Sequence, residues 1–193
     1  MNEGWYDIVE ADEPITQGDI VLDCPLIGWQ SDNLNLEYQD YLEALKTATI
    51  ATQADVVVLT QACDLEHHKI ENVILCSHLP IGEYQSIWED EMRSSNQNPT
   101  AKAWKSHCDD ICDGFVWNMA ILNSLKTNEH KMKIRVVDFR EIFTVPLTFL
   151  ESLLSQRNAK RIRLLPPYRE HLSQAFARFF MRVGLPNEVE KTW

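Results

Sequence analysis

The residues that most constrain the fold are 55–61, where one aspartate is followed by the apolar and β-branched run Val56-Val-Val-Leu-Thr60. Such a run predicts a strand that is covered on both faces. Directly after it the chain turns polar, and a thiol, two carboxylates and two imidazoles fall within residues 63–68. A buried strand holds the side chains at its end in fixed positions, so this turn is the first candidate for a functional site.

Weaker patterns predict the elements on either side. Asn72–His78 is a short apolar strand that we expect to pair antiparallel with the central strand. Apolar residues at three- and four-residue steps predict two acidic helices within 83–113. Residues 41–51 fit a helix or a strand, and their β-branched second half favours a strand. Further along the chain we expect strands near 114–122 and 131–139 and a helix opened by Pro146. A connector or strand is expected at 161–165, followed by a helix from Pro166 that ends before Gly184-Leu-Pro186.

The charge of the chain is unevenly distributed. The net charge is −11, with −17 over residues 1–113 and +6 over residues 114–193. The two parts either complement each other within one fold, or each faces a partner. The acidic part opposes nucleic acid, whereas the basic C-terminal part offers a surface to a polyanion or a protein.

The five cysteines and the N-terminus bear on the cellular compartment. An odd number of cysteines without a Cys-x-x-Cys pair indicates reduced thiols, and the acidic, aromatic start is unlike a signal peptide. No apolar run approaches the roughly 20 residues that cross a bilayer. We therefore expect a cytoplasmic protein that does not bind membranes.

Three segments together resemble the PemK/MazF class of toxins. Gly18-Asp-Ile-Val-Leu-Asp-Cys-Pro25 is similar to the opening strand of that class, and Val56–Thr60 with Val73–His78 is similar to its next core strands. Val136–Arg140 through Arg161–Leu165 resembles its closing strand and helices. The resemblance implies one α+β domain: a small SH3-like antiparallel β-barrel with strands at about 15–82 and 114–140, a helical insertion at about 83–113, and C-terminal helices at about 146–185.

Members of that class are typically endoribonucleases that carry an arginine just before the central strand. Here Thr52-Gln-Ala-Asp55 occupies that place, and Ser77 or His78 lies near the expected second catalytic position. Without the arginine, the chain lacks the cation that would stabilise a charged phosphate transition state. The resemblance therefore implies the fold of the class rather than its activity.

Catalysis by Cys63 is a separate hypothesis. A thiolate forms at neutral pH when an imidazole or cation lies beside it, and the candidate bases His67 and His68 follow four and five residues later. Asp64 and His78 are further candidates for the catalytic set. The alternative is that Cys63 is a small apolar residue, that Asp64 caps the turn and that the histidines are solvated.

The same residues suggest a metal site. Cys63 and Cys76 would approach each other if their strands pair, and Cys24 and His78 are the remaining candidates for a zinc set. Neither this group nor the cluster of His107, Cys108 and Cys112 has the spacing of zinc knuckles, so no metal or other cofactor is expected.

Basic residues near the C-terminus form the candidate partner surface. The alternative is a solvated face with arginines stacked over an aromatic ring. The candidates for binding a protein or a polyanion are Arg157, Lys160, Arg161, Arg163 and Arg169.

We expect a non-catalytic binding or regulatory component, and the resemblance implies a bacterial toxin–antitoxin or phage-defence system as its setting. We expect a protein partner, with nucleic acid and a homodimer as further options. The alternatives are an endoribonuclease of the PemK/MazF type and a hydrolase centred on Cys63.

Overall fold

The computed structural model describes residues 4–30, 41–128 and 130–181. The strands are β1 (Tyr6–Val9), β2 (Asp19–Trp29), β3 (Thr49–Val58), β4 (Asn72–Pro80), β5 (Met119–Leu122), β6 (Leu125–Lys126), β7 (Lys131–Met132), β8 (Arg135–Pro146) and β9 (Arg161–Leu164). The helices are α1 (Tyr41–Ala48), α2 (Ala62–Glu66), α3 (Ile81–Ser94), α4 (Ala101–Cys112), α5 (Leu147–Arg157) and α6 (Tyr168–Phe180).

The valines of β3 lie at the centre of the molecule. Val56, Val57 and Val58 are completely buried, as the sequence predicted. Successive side chains of a strand point to opposite faces, so Val57 packs on the face that α6 covers, whereas Val56 and Val58 pack on the face that α5 covers. The central strand therefore contributes to two cores at once.

Seven antiparallel strands form one open sheet in the order β1-β9-β2-β3-β4-β8-β5. The predicted pairing of the central strand with the next one is confirmed, since Val57 lies opposite Cys76. A hairpin of β6 and β7 lies beside this sheet. The mixed α+β class is thus correct, while the described strands do not close into the small barrel that the sequence suggested.

The helices follow the predicted pattern with two differences. The two helices expected within residues 83–113 are α3, which begins at Ile81, and α4. Their buried Tyr84, Trp88 and Ile111 form a third core. Residues 41–48 are helical, and the strand favoured there begins only at Thr49, because Ala44 and Ala48 bury one side of the helix. The polar turn after β3 contains the short helix α2. The predicted helix end at 184–186 lies outside the described residues.

None of the helices within the described ranges has both the length and the apolar composition that a membrane crossing requires.

A buried cluster of charges joins β9 to β2. The carboxylate of Asp19 is fully buried and accepts hydrogen bonds from Arg161 at 3.3 Å and Arg163 at 2.5 Å. The Arg161 guanidinium also donates to backbone carbonyls of the segment before β2, including that of Glu13 at 2.7 Å. The Asp19 carboxylate thus pairs with two guanidinium groups, and the guanidinium of Arg161 also binds backbone carbonyls. These contacts hold the segment before β2 against the sheet.

We expect the substitution Asp19→Asn to lower the free energy of unfolding by about 3–5 kcal/mol, because the buried Arg161 and the partly buried Arg163 would lose their anion. Denaturant unfolding followed by circular dichroism measures the change. Asp23→Asn is the matched control: Asp23 is exposed and has a φ of 49°, which asparagine tolerates, so its effect should stay within about 0.5 kcal/mol. Equal effects of the two substitutions would contradict the role assigned to Asp19.

Candidate functional site

The predicted catalytic turn is open to solvent. Cys63 lies on α2 with an exposed side chain, and His67 and His68 are exposed after the helix. The Cys63 sulfur lies 3.8 Å from a carboxylate oxygen of Asp64. Within the described part of the chain, no imidazole is in hydrogen-bond contact with this sulfur, so the structure does not assemble the cysteine–histidine pair that a nucleophilic thiol requires.

His78 lies in β4, deep in the sheet and away from that turn. Its side chain is 1% exposed, and neither ring nitrogen has a hydrogen-bond partner. Burial and the nearby Arg135 guanidinium lower the pKa of His78 to about 3. His78 is therefore a neutral core residue near pH 7.

Asp55, His78 and Arg135 form a polar cluster across three adjacent strands, β3, β4 and β8. Asp55 and His78 directly adjoin the paired residues Val56 and Ser77. Arg135 is paired with Pro80, two residues after His78, so strand pairing brings the three side chains together. Arg135 is mostly buried and forms an ion pair with Asp55, while its Nε atom has no partner. The cluster leaves three nitrogen atoms unsatisfied, two of His78 and one of Arg135.

The candidate zinc ligands do not converge. Cys24 packs on the face of the sheet that contains Val56, Cys76 packs on the opposite face with Val57, and Cys63 is exposed on α2. Over residues 4–30, 41–128 and 130–181, no three histidine, cysteine, aspartate or glutamate side chains are arranged to hold a metal ion.

The basic residues of the predicted partner surface make contacts within this chain. Arg161 and Arg163 bind Asp19, and Arg157 donates to the carbonyls of Leu22 and Asp23, each at 2.6 Å. Lys160 pairs with Glu10 at 3.0 Å, and Arg169 with Glu170 at 2.7 Å. Arg157, Arg161 and Arg163 therefore join distant segments of the fold, and binding of a polyanion by the basic residues stays a prediction.

A cleft that the sequence did not indicate lies between α4, β5 and α6. Its volume is about 710 Å³, within the range typical of small-molecule sites. Its walls are mostly apolar and include Ile111, Met119, Leu122, Leu172 and Ala175.

Three aromatic side chains are among the residues that line the cleft. Trp5 stacks on Tyr168 with ring centroids 4.1 Å apart and planes 13° from parallel. Both rings line the cleft, together with the half-exposed Trp117. Flat aromatic surfaces of this kind suit a planar ligand, because stacking adds to the free energy gained from apolar burial.

A few polar groups accompany the apolar walls. Asn123, His171, Asp113 and Arg178 line the cleft. The Arg178 guanidinium lies against Gly114, where an added Cβ would approach one of its nitrogen atoms to 3.3 Å. Gly114 also has a φ of +75°, so both its backbone and the space beside it favour glycine.

Two cysteines one helical turn apart complete the wall formed by α4. Cys108 and Cys112 are free thiols that line the cleft. Burial raises the pKa of both thiols, and the nearby Asp109 carboxylate raises it further. Both groups are therefore protonated near neutral pH and contribute polarisable surface rather than nucleophiles.

No protein-family model matches the chain, and no curated protein is detectably similar to it. The resemblance to the PemK/MazF class therefore remains a proposal.

We expect the burial of neutral His78 to make the fold sensitive to acid. The pKa of His78 in the folded chain, about 3, lies below the ordinary value of 6.5. Between these two pH values His78 is protonated in the unfolded chain but not in the folded chain. The free energy of unfolding therefore falls as the pH decreases through this range. In His78→Leu, the loss of stability between about pH 7 and about pH 4.5 should be smaller by about 2 kcal/mol.

Urea unfolding at the two pH values measures this difference, and His67→Leu is the control, because His67 is exposed. The same acid-induced loss in wild type and His78→Leu would show that His78 does not carry the effect.

Proposed function

We propose that the protein acts by binding, and that the cleft between α4, β5 and α6 holds a planar, largely apolar small molecule. The observation that carries this proposal is an apolar cleft of about 710 Å³ with the stacked pair Trp5 and Tyr168 in its wall. Large apolar pockets with a few polar groups are the usual sites for small ligands. The side chains of Asn123, His171 and Arg178 would orient the polar edge of the ligand.

Catalysis is the weaker proposal for this chain. The Cys63 turn is exposed and has no imidazole in contact with the sulfur, and His78 is a neutral, buried residue. Arg161 is 5% exposed and bound to Asp19, so it is poorly placed to contact a phosphate. These contacts support a binding protein over a ribonuclease or a cysteine hydrolase.

The biological setting is proposed from the resemblance. A regulatory component of a toxin–antitoxin or phage-defence system, derived from an SH3-like barrel, fits a largely antiparallel sheet and a sequence without the expected arginine. A cytoplasmic location is proposed with it, in keeping with five free thiols. Binding of a ligand in the cleft would then regulate contact with a protein partner.

An aromatic probe tests the cleft directly. We expect 1-anilinonaphthalene-8-sulfonate to gain fluorescence with the folded protein, and Ala175→Phe to abolish most of this gain, because Ala175 lines the cleft. Ala177→Phe introduces the same side chain at an exposed position of α6 and should leave the signal unchanged. Equal signals from the two variants would place the probe elsewhere and overturn the proposed site.

Incubation with single-stranded RNA separates binding from catalysis. We expect the RNA to remain intact, because the chain presents no exposed cation at the place where the PemK/MazF class has its arginine. Gel electrophoresis of the RNA is the measurement. Cleavage that follows the protein through purification and is lost in His78→Leu would support the nuclease instead.

A further inference from the structure

The hairpin of β2 and β3 extends beyond the rest of the sheet. Residues 24–29 of β2 pair with residues 49–54 of β3, and we call this part the arm. The pairs of β3 with β4 begin only at Val56, and those of β2 with β9 involve only Asp19 and Ile20. Within the described residues, neither outer edge of the arm is therefore paired with another strand.

The arm exposes apolar side chains on both of its faces. Ile27 and Trp29 lie on one face and are 73% and 66% exposed, and Ile50 lies on the other face and is 45% exposed. Tyr41 and Leu45, on the helix that leads into β3, are also exposed.

Neither strand of the arm carries a charged residue, although 24% of the chain is charged. Natural proteins protect exposed strand edges with charges or proline, because unpaired backbone groups recruit further strands. The β2 strand has such protection. Pro25 lies within the arm, and Arg157 donates hydrogen bonds to the carbonyls of Leu22 and Asp23, just before the arm. The edge of β3 over residues 49–54 has neither device.

We propose that residues 49–54 of β3 pair antiparallel with the same residues of a second copy of the chain. A two-fold axis would place each strand beside itself, so a charge near the axis would face its own copy. The absence of charge suits this arrangement in a protein of net charge −11, whereas an unlike partner would be expected to use complementary charge. The apolar faces of the two arms would then become continuous across the dimer.

Sedimentation velocity of the full chain tests the proposal. We expect the wild-type protein to form dimers as its concentration rises through the micromolar range. Ala51→Lys and Gln53→Lys, both at exposed positions of β3, should raise the dimer dissociation constant by more than about tenfold, because like charges would face each other. Gln156→Lys adds the same charge on the exposed surface of α5 and should have no effect.

Hydrogen exchange supplies a readout without any substitution. Amide protection of residues 49–54 should increase with the concentration of the wild-type protein, since pairing satisfies backbone groups at this edge. A protein that stays monomeric, a dimer that survives both β3 substitutions, or protection that does not change with concentration would each overturn the proposal. Circular dichroism of each variant distinguishes dissociation from unfolding.

Discussion

The architecture depends on the burial of β3 on both faces. Val56 and Val58 hold one core under α5, and Val57 holds the other under α6, all without solvent exposure. Full burial of one such side chain is worth about 1.5–3 kcal/mol, so these three residues contribute a large part of a typical net stability. Asp55 directly precedes these valines and lies beside His78, so the same strand links the packing of the centre to the polar cluster.

Much of the fold could be predicted from the sequence because its signals are local. The run at residues 56–58 identified the central strand, and helical periodicity identified α3 and α4. That the sheet stays open could not be predicted, because closure depends on the positions of distant strands. Residues 41–48 were ambiguous for a related reason: a helix there depends on the burial of Ala44 and Ala48 by tertiary packing, which overrides weak local propensity.

The candidate cleft could not be predicted from the sequence for the same physical reason. Trp5, Trp117 and Tyr168 come from three distant segments, and no local pattern connects them. The reactive residues near Cys63 attracted attention because they are close in sequence, yet the structure leaves them on the surface. The contacts of the basic residues could not be predicted either, because Arg161 and Arg163 bind Asp19, which lies more than a hundred positions away.

The position of β9 has a consequence for synthesis on the ribosome. This strand lies between β1 and β2, with Tyr6 opposite Leu164 on one side and Asp19 opposite Arg163 on the other. A nascent chain has β1 and β2 long before it has the strand that joins them, and Asp19 meanwhile lacks both of its cations. The N-terminal edge of the sheet can therefore form only after residues 161–164 have emerged. Until then β1 and β2 lack the strand that joins them, which leaves them open to chaperones and to misassembly during translation.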